Sequence, residues 1–176
     1  MPKYAATPTN VERRFAEDEI IVSKTDSTGR LTYANDVFLR IADFTEDEVL
    51  GEPHSILRHP DMPRCIFQLL WERISNGKEI FAYVKNMTKG GDFYWVLAHV
   101  TPTFDSGGRV LGYHSNRRVP DRSAIAKIEP IYRELLSEEN RHADRKTGMQ
   151  AAAARLNEML KKSGQDYDQF VFALAA

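Results

Sequence analysis

EIFAYVKNMTKGGDFYWVLAHVTPTF, residues 79–104, is two alternating runs separated by a Gly-Gly turn at 90–91. Side chains on a strand alternate faces, so Ile80, Ala82, Val84 and Asn86 share one side of the first run, and Tyr94, Val96, Ala98 and Val100 one side of the second. Phe81, Tyr83, Phe93, Trp95 and Leu97 share the opposite side. A sheet that is apolar on both faces must be covered on both. The turn DSGG (105–108) and the run RVLGYHSNRRV (109–119) add a third antiparallel strand. Upstream, EIIVSKTD (19–26), the turn STGR (27–30) with its Gly29, and LTYAN (31–35) read as a β-hairpin.

Helical spacing fills the space between these blocks. DVFLRIADF places Val37, Phe38 and Ile41 on one side, and TEDEVLG has the capping-box pair Thr45 and Glu48 before the stop at Gly51. Asp61 reads as the N-cap of a helix running to about Ser75, with Pro63 in its first turn and Ile66, Leu69, Leu70 and Ile74 as its buried stripe. The order β-β-α-α-α-β-β-β predicts an α+β fold: a five-stranded antiparallel sheet with short helices on one face. Residues 1–10 read as a polar arm and Val11–Asp18 as a short helix, so 1–18 precede a domain spanning 19–120. From Asp121 to 176 the chain is helical and charge-rich. Ile125, Ile128, Tyr132 and Leu135 line one helix that Pro130 should kink. Met149, Leu156 and Leu160 line a second that ends at Gly164, and Asp166 caps a third.

Composition narrows the function classes. The 176 residues carry a formal net charge of -1, so no global field favours nucleic acid or an acidic membrane surface. The single cysteine, Cys65, excludes an internal disulfide, and a reducing cytoplasm is the simplest compartment. The N-terminal stretch has no apolar core of a signal peptide, and no run is long enough to span a bilayer. No nucleophile–base constellation, metal-ligand spacing or phosphate-cradling glycine loop stands out, so an enzyme is not expected. GGDF (90–93) shares four letters with the start of a cyclic-dinucleotide synthase signature, but it lacks the following Glu-Phe and falls in a hairpin turn.

RHPDMP, residues 58–63, is the polar stretch that the fold alone does not explain. An arginine binds phosphate bidentately, a histidine donates a hydrogen bond or stacks, and a helix start favours an anion. Two prolines keep the segment stiff, which lowers the ordering cost of binding. The alternative is a capped helix entrance with an exposed Arg and His. Asn86, at the end of an inward-facing apolar row, suits a ring edge that offers carbonyls and ring nitrogens, or else caps the strand and meets water.

Residues 20–120 resemble the flavin-binding PAS sensor of bacterial aerotaxis receptors. The resemblance rests on YAND (33–36), GEPH and RHPDMP within 51–63, Trp71, VKN (84–86), GDFYWV (91–96) and GY (112–113). It implies a PAS fold over 19–120 and FAD held without a covalent bond, with cofactor-binding roles for Asn35, Arg58, His59, Asp61, Phe67, Trp71 and Asn86. His54 stands where light-sensing PAS relatives carry a reactive cysteine, so a cysteinyl adduct is not expected. Haem with His54 or His59 as axial ligand, or no cofactor at all, are the alternatives. The reading that follows is a cytoplasmic redox or oxygen sensor that relays flavin state to a receptor or kinase partner. The alternative is a ligand-free interaction module. The aromatic face of Phe81, Tyr83, Phe93, Trp95 and Leu97 predicts a cover by terminal helices or, preferably, a second copy in a homodimer.

Overall fold

The computed structural model describes residues 6–175, and residues 1–5 of the expected polar arm lie outside the described residues. Two compact units emerge, one formed by the chain up to His59 with Arg73–Val119, the other by Pro60–Glu72 with Pro120 onward.

The first unit holds the sheet. Its strands are β1 (Ile21–Asp26), β2 (Leu31–Ala34), β3 (Ile80–Met87), β4 (Phe93–Phe104) and β5 (Val110–Arg118). They form one five-stranded antiparallel sheet in the order β2-β1-β5-β4-β3. The first and last thirds of the chain segment thus meet at the β1–β5 pair, while both hairpins stay local. The register pairs Asn86 with Tyr94, Val84 with Val96, Ala82 with Ala98 and Ile80 with Val100, so the two rows read from alternation share one face. Through β5 and β1 that face continues as Arg117 opposite Ala98 and Ile21, and Ser115 opposite Val100 and Ser23.

Two helices, α1 (Asp36–Ala42) and α2 (Glu46–Val49), and the 3-10 turn His54–Leu57 follow β2. Asn35 caps α1, accepting from the Phe38 N–H at 3.0 Å. The Thr45–Glu48 capping box forms as its spacing predicts. Phe38, Ile41, Ala42, Val49 and Leu57 are buried, each at an apolar position of its turn.

The helix expected over Val11–Asp18 does not form. That stretch contains no helix, and its first residues run alongside the start of β4 in a parallel bridge between Glu12 and Phe93. Beyond the last β5 partner, Leu97, this edge of β4 has free backbone groups, and Thr9, Val11 and Arg13 bond to Gly91 and Phe93 there. Gly91 is required for this: its φ is +97°, and a Cβ would stand 2.2 Å from the Thr7 carbonyl oxygen. GGDF therefore marks a turn against which the N-terminal segment lies.

The second unit is helical: α3 (Arg64–Ser75) for most of its length, α4 (Arg122–Asn140), α5 (Arg145–Ser163) and α6 (Tyr167–Ala173). Asp121, Asp144 and Asp166 cap the last three, and Gly164 ends α5 in the left-handed conformation. The helix α4 runs continuously through Pro130. Its buried row is Ala124, Ile125, Ile128, Tyr132, Leu135 and Glu139. On α5 the buried row is Gly148, Ala152 and Leu156 rather than Met149, Leu156 and Leu160. Small residues let the two helices approach: a Cβ on Gly148 would stand 2.3 Å from the Glu139 carbonyl oxygen.

Asp61 does not occupy the N-cap position of α3. The helix starts at Arg64, so Asp61 falls in the preceding turn. A cap comes from elsewhere in this unit. The Glu139 carboxylate, fully buried, accepts from the Cys65 backbone N–H and from Arg64 Nε, both at 2.9 Å. A carboxylate at a helix N-terminus is favourable twice over, through the free N–H and through the helix dipole. No local spacing could show this, because the partners are 74 and 75 residues apart.

Candidate functional site

The inner face of the sheet carries polar groups at positions that strand alternation reserves for the core. Asn86, Tyr94, Ser115 and Arg117 are buried at 4%, 1%, 7% and 3% exposure, away from bulk solvent. Among the described residues, Asn86 Nδ2, Tyr94 Oη, Ser115 Oγ and one guanidinium nitrogen of Arg117 have no hydrogen-bond partner. Each such group costs about 1–3 kcal/mol. Four on one sheet face is a concentration that a folded interior rarely carries without a ligand to answer it.

Arg117 is the centre of this group. Its other terminal nitrogen donates to Ser23 Oγ at 2.8 Å and to His54 Nε2 at 2.5 Å. The guanidinium also lies over the Phe38 ring, 5.8 Å from its centroid. Burial lowers Arg117 to about 10, with the Tyr94 phenol acting the other way, so the side chain remains a cation at neutral pH. Burial, and then the Arg117 charge, push His54 down to about 3, so its ring is neutral and Nε2 is the acceptor. Ser23 Oγ lies 3.2 Å from the same nitrogen. Burial raises Tyr94 to about 12, and the Arg117 charge pulls it back less than burial lifts it.

The residues expected to bind a cofactor take several places. Asn35 commits its amide oxygen and one N–H to the backbone: Oδ1 accepts from the N–H groups of Val22 and Phe38, both at 3.0 Å, and Nδ2 donates to the Ile20 carbonyl at 2.8 Å. Arg58 and Asn86 come together, because a backbone bridge joins them along the outer edge of β3. His59 is buried, its ring edge-on to Phe93 at 6.0 Å. Asp61, Phe67 and Trp71 belong to the helical unit, Asp61 in the turn before α3 and the other two on it, with Trp71 39% exposed. Strand pattern reasoning placed Tyr94 on the inward row but did not single out Ser23, Ser115 or Arg117. The signal was present on β5, where Ser115 and Arg117 share the parity of an inward-facing row.

The other face of the sheet is partly covered within one chain. Tyr83 and Trp95 are 2% and 5% exposed, whereas Phe81, Phe93 and Leu97 are half-buried. Phe81 stacks flat on His99, with ring centroids 4.0 Å apart. Lys85 Nζ lies 4.4 Å from the Phe93 centroid.

Residues 31–117 match the family model described as PAS fold. This stretch is a PAS domain. The chain is 38% identical to the aerotaxis receptor of Escherichia coli K12 over 121 residues, 69% of this chain and 24% of that protein. It is 32% identical to the biofilm dispersion protein BdlA of Pseudomonas aeruginosa over 87 residues, 49% of this chain and 21% of that protein. The chain thus spans about a quarter or less of these relatives. Among solved structures, the dark structure of the blue-light photoreceptor Aureochrome1 LOV aligns with a TM-score of 0.54 at 22% identity, over 69% of this chain and 84% of that one; this likeness concerns the fold. Among the described residues, no helix is long and apolar enough to cross a membrane, and no cluster of three metal-ligating side chains occurs.

The donor set fits a flavin better than a haem. An isoalloxazine edge offers carbonyls and ring nitrogens, and the unpartnered atoms are an amide donor, two hydroxyls and a guanidinium nitrogen. A haem would need an imidazole nitrogen: His54 Nε2 already holds Arg117, which leaves His59, whose buried ring lies edge-on to Phe93, as the remaining candidate ligand.

Proposed function

We propose that this PAS domain is a sensor whose interior binds FAD without a covalent bond, and whose binding state is passed on to a signalling partner. The observation that carries the reading is the set of four unpartnered buried polar atoms on one sheet face. Resemblance to the aerotaxis receptor supports the choice of ligand class. Bound flavin would supply a reversible change in redox state and ring charge. In this reading Asn86 presents its amide to the ring edge, and Tyr94 and Ser115 offer hydroxyls that reorient as the ring's acceptors change. Arg58 and His59 stand on the adjoining edge of β3, where a dinucleotide's phosphates would meet a cation. Roles for Asp61, Phe67 and Trp71 rest on the resemblance alone, as does any cofactor role for Asn35, whose amide oxygen and one N–H already bond the backbone.

The route outward begins on β5. This strand carries Ser115 and Arg117, ends at Arg118, and leads to α4 at Arg122. A change in the hydrogen bonds of the inner face therefore acts on the strand that feeds the C-terminal helices. Dimerisation through the outer face would add burial to Phe81, Phe93 and Leu97, and little to Tyr83 and Trp95. The partner is a receptor or kinase in a cytoplasmic pathway.

The test is an absorption spectrum of the freshly purified protein and of Arg58→Ala and Asn86→Ala. Paired flavin bands that weaken in the variants support the reading. A protein band alone, unchanged after incubation with FAD and with haem, sinks it in favour of a ligand-free interaction module. A single intense band near the haem region replaces flavin by haem.

A further inference from the structure

Arg117 poses a question that hydrogen bonding alone does not answer. It is a full positive charge, 3% exposed, and no carboxylate pairs with it among the described residues. Its companions are all neutral: the Ser23 hydroxyl, the His54 imidazole as acceptor, and the Phe38 ring. Buried charges are ordinarily paired, and an unpaired one is tolerated where a ligand completes it. His54 cannot relieve the charge and does not compete with it; a neutral ring that points its lone pair at the guanidinium fixes the cation's position. Protein interiors screen weakly, so the cation's field extends over the whole inner face, and it is felt at Tyr94.

We propose that Arg117, positioned by His54 and Ser23, makes this interior selective for the more negatively charged state of its ligand. This inference rests on the flavin reading and adds to it a direction. A flavin ring that accepts two electrons and one proton, supplied in the test by dithionite (itself oxidised to sulfite) and water, ends with one negative charge more than it began with. A fixed cation in a dry site favours that form, so the domain binds reduced flavin more tightly than oxidised flavin, and its midpoint potential lies above that of free FAD. Arg117 is a positioning and tuning residue for the ligand's charge, not a group that exchanges protons with it.

The experiment is a dithionite titration of the FAD-loaded protein under argon, followed by absorbance, for the wild type, Arg117→Met and Arg117→Lys, alongside free FAD. Circular dichroism and the flavin content of each preparation accompany it. The expected result is a wild-type potential above that of free FAD by at least a tenfold preference for the reduced form, about 30 mV for a two-electron couple. Arg117→Met should lose that preference, and Arg117→Lys should keep most of it. A wild-type potential at or below that of free FAD overturns the inference and leaves the flavin reading intact, as does an Arg117→Met protein with an unchanged potential. Should Arg117→Met fail to fold or to hold FAD, the wild type against free FAD decides alone. A wild type that takes up no FAD overturns the flavin reading, and this inference with it.

Discussion

Glu139 in the helical unit and Arg117 in the sheet unit are both buried charged side chains, and the two units treat them in opposite ways. In the helical unit, Glu139 is fully enclosed and both carboxylate oxygens are answered, one by the Cys65 N–H and one by Arg64 Nε. In the sheet unit, Arg117 is enclosed among neutral partners, with one nitrogen unanswered. Buried polar groups must be satisfied, so a complete set marks a structural joint and an incomplete one marks a place where something else binds. Glu139 ties α4 to the start of α3, whose first residues adjoin the RHPDMP stretch. Arg117 holds its charge for a ligand.

The sharpest way to break this contrast is to remove each charge in turn without ligand. Glu139→Ala leaves the buried Cys65 N–H without its acceptor and frees the part-exposed Arg64, and should cost about 2–3 kcal/mol, read as a lower urea midpoint. Arg117→Met removes an unpaired charge and puts apolar volume in its place. In the flavin-free protein it should leave stability unchanged or raise it by about 1–2 kcal/mol. If Arg117→Met proved as damaging as Glu139→Ala, both charges would be structural and the contrast would collapse.

Asn35→Ala sharpens it from the side of the expected ligand residues. Its loss removes the α1 cap and a bond to the Val22 N–H, and should cost about 1–2 kcal/mol in urea unfolding whether or not FAD is present. A variant of full stability that had lost its flavin would return Asn35 to the binding site.

His54 gives a pH test of the sheet interior. It is held neutral down to about pH 3, whereas in the unfolded chain it takes up a proton near pH 6.5. Between these values the unfolded state binds more protons, so stability falls as pH drops below 6.5 and the loss is complete near 3. Between pH 6.5 and 5 this amounts to about 1.6 kcal/mol, and His54→Gln should flatten that part of the profile. The smallest effect belongs to Cys65, beside Glu139. Burial, then the Glu139 charge, push its thiol up to about 12, so alkylation at pH 8 should proceed only as fast as the unit opens.

How much could be read in advance differs between the fold and the site. The alternation in 79–104 gave the two faces residue by residue, because a buried face enforces a period of two, while the pairing between the strands came from the structure. The Thr45–Glu48 capping box and the Asp166 cap were equally legible, since their partners lie within one turn. The N-terminal segment misled, because its helical spacing was weaker than the open edge of β4 that recruits it. Asp61 misled for the opposite reason: it had the right chemistry for a cap, but the helix began later and a distant carboxylate held its N-terminus.

The sequence by itself determined the order of elements, the two faces of the hairpin 79–104, the turns and the resemblance in RHPDMP, because all of these are set by neighbours within a few residues. Only the tertiary structure decided that Arg117 faces inward beside His54 and Ser23, and that Glu139 meets the start of α3. The physical reason is the same for both. A buried charge is defined by what surrounds it, and here the partners come from segments 63 to 94 residues away along the chain.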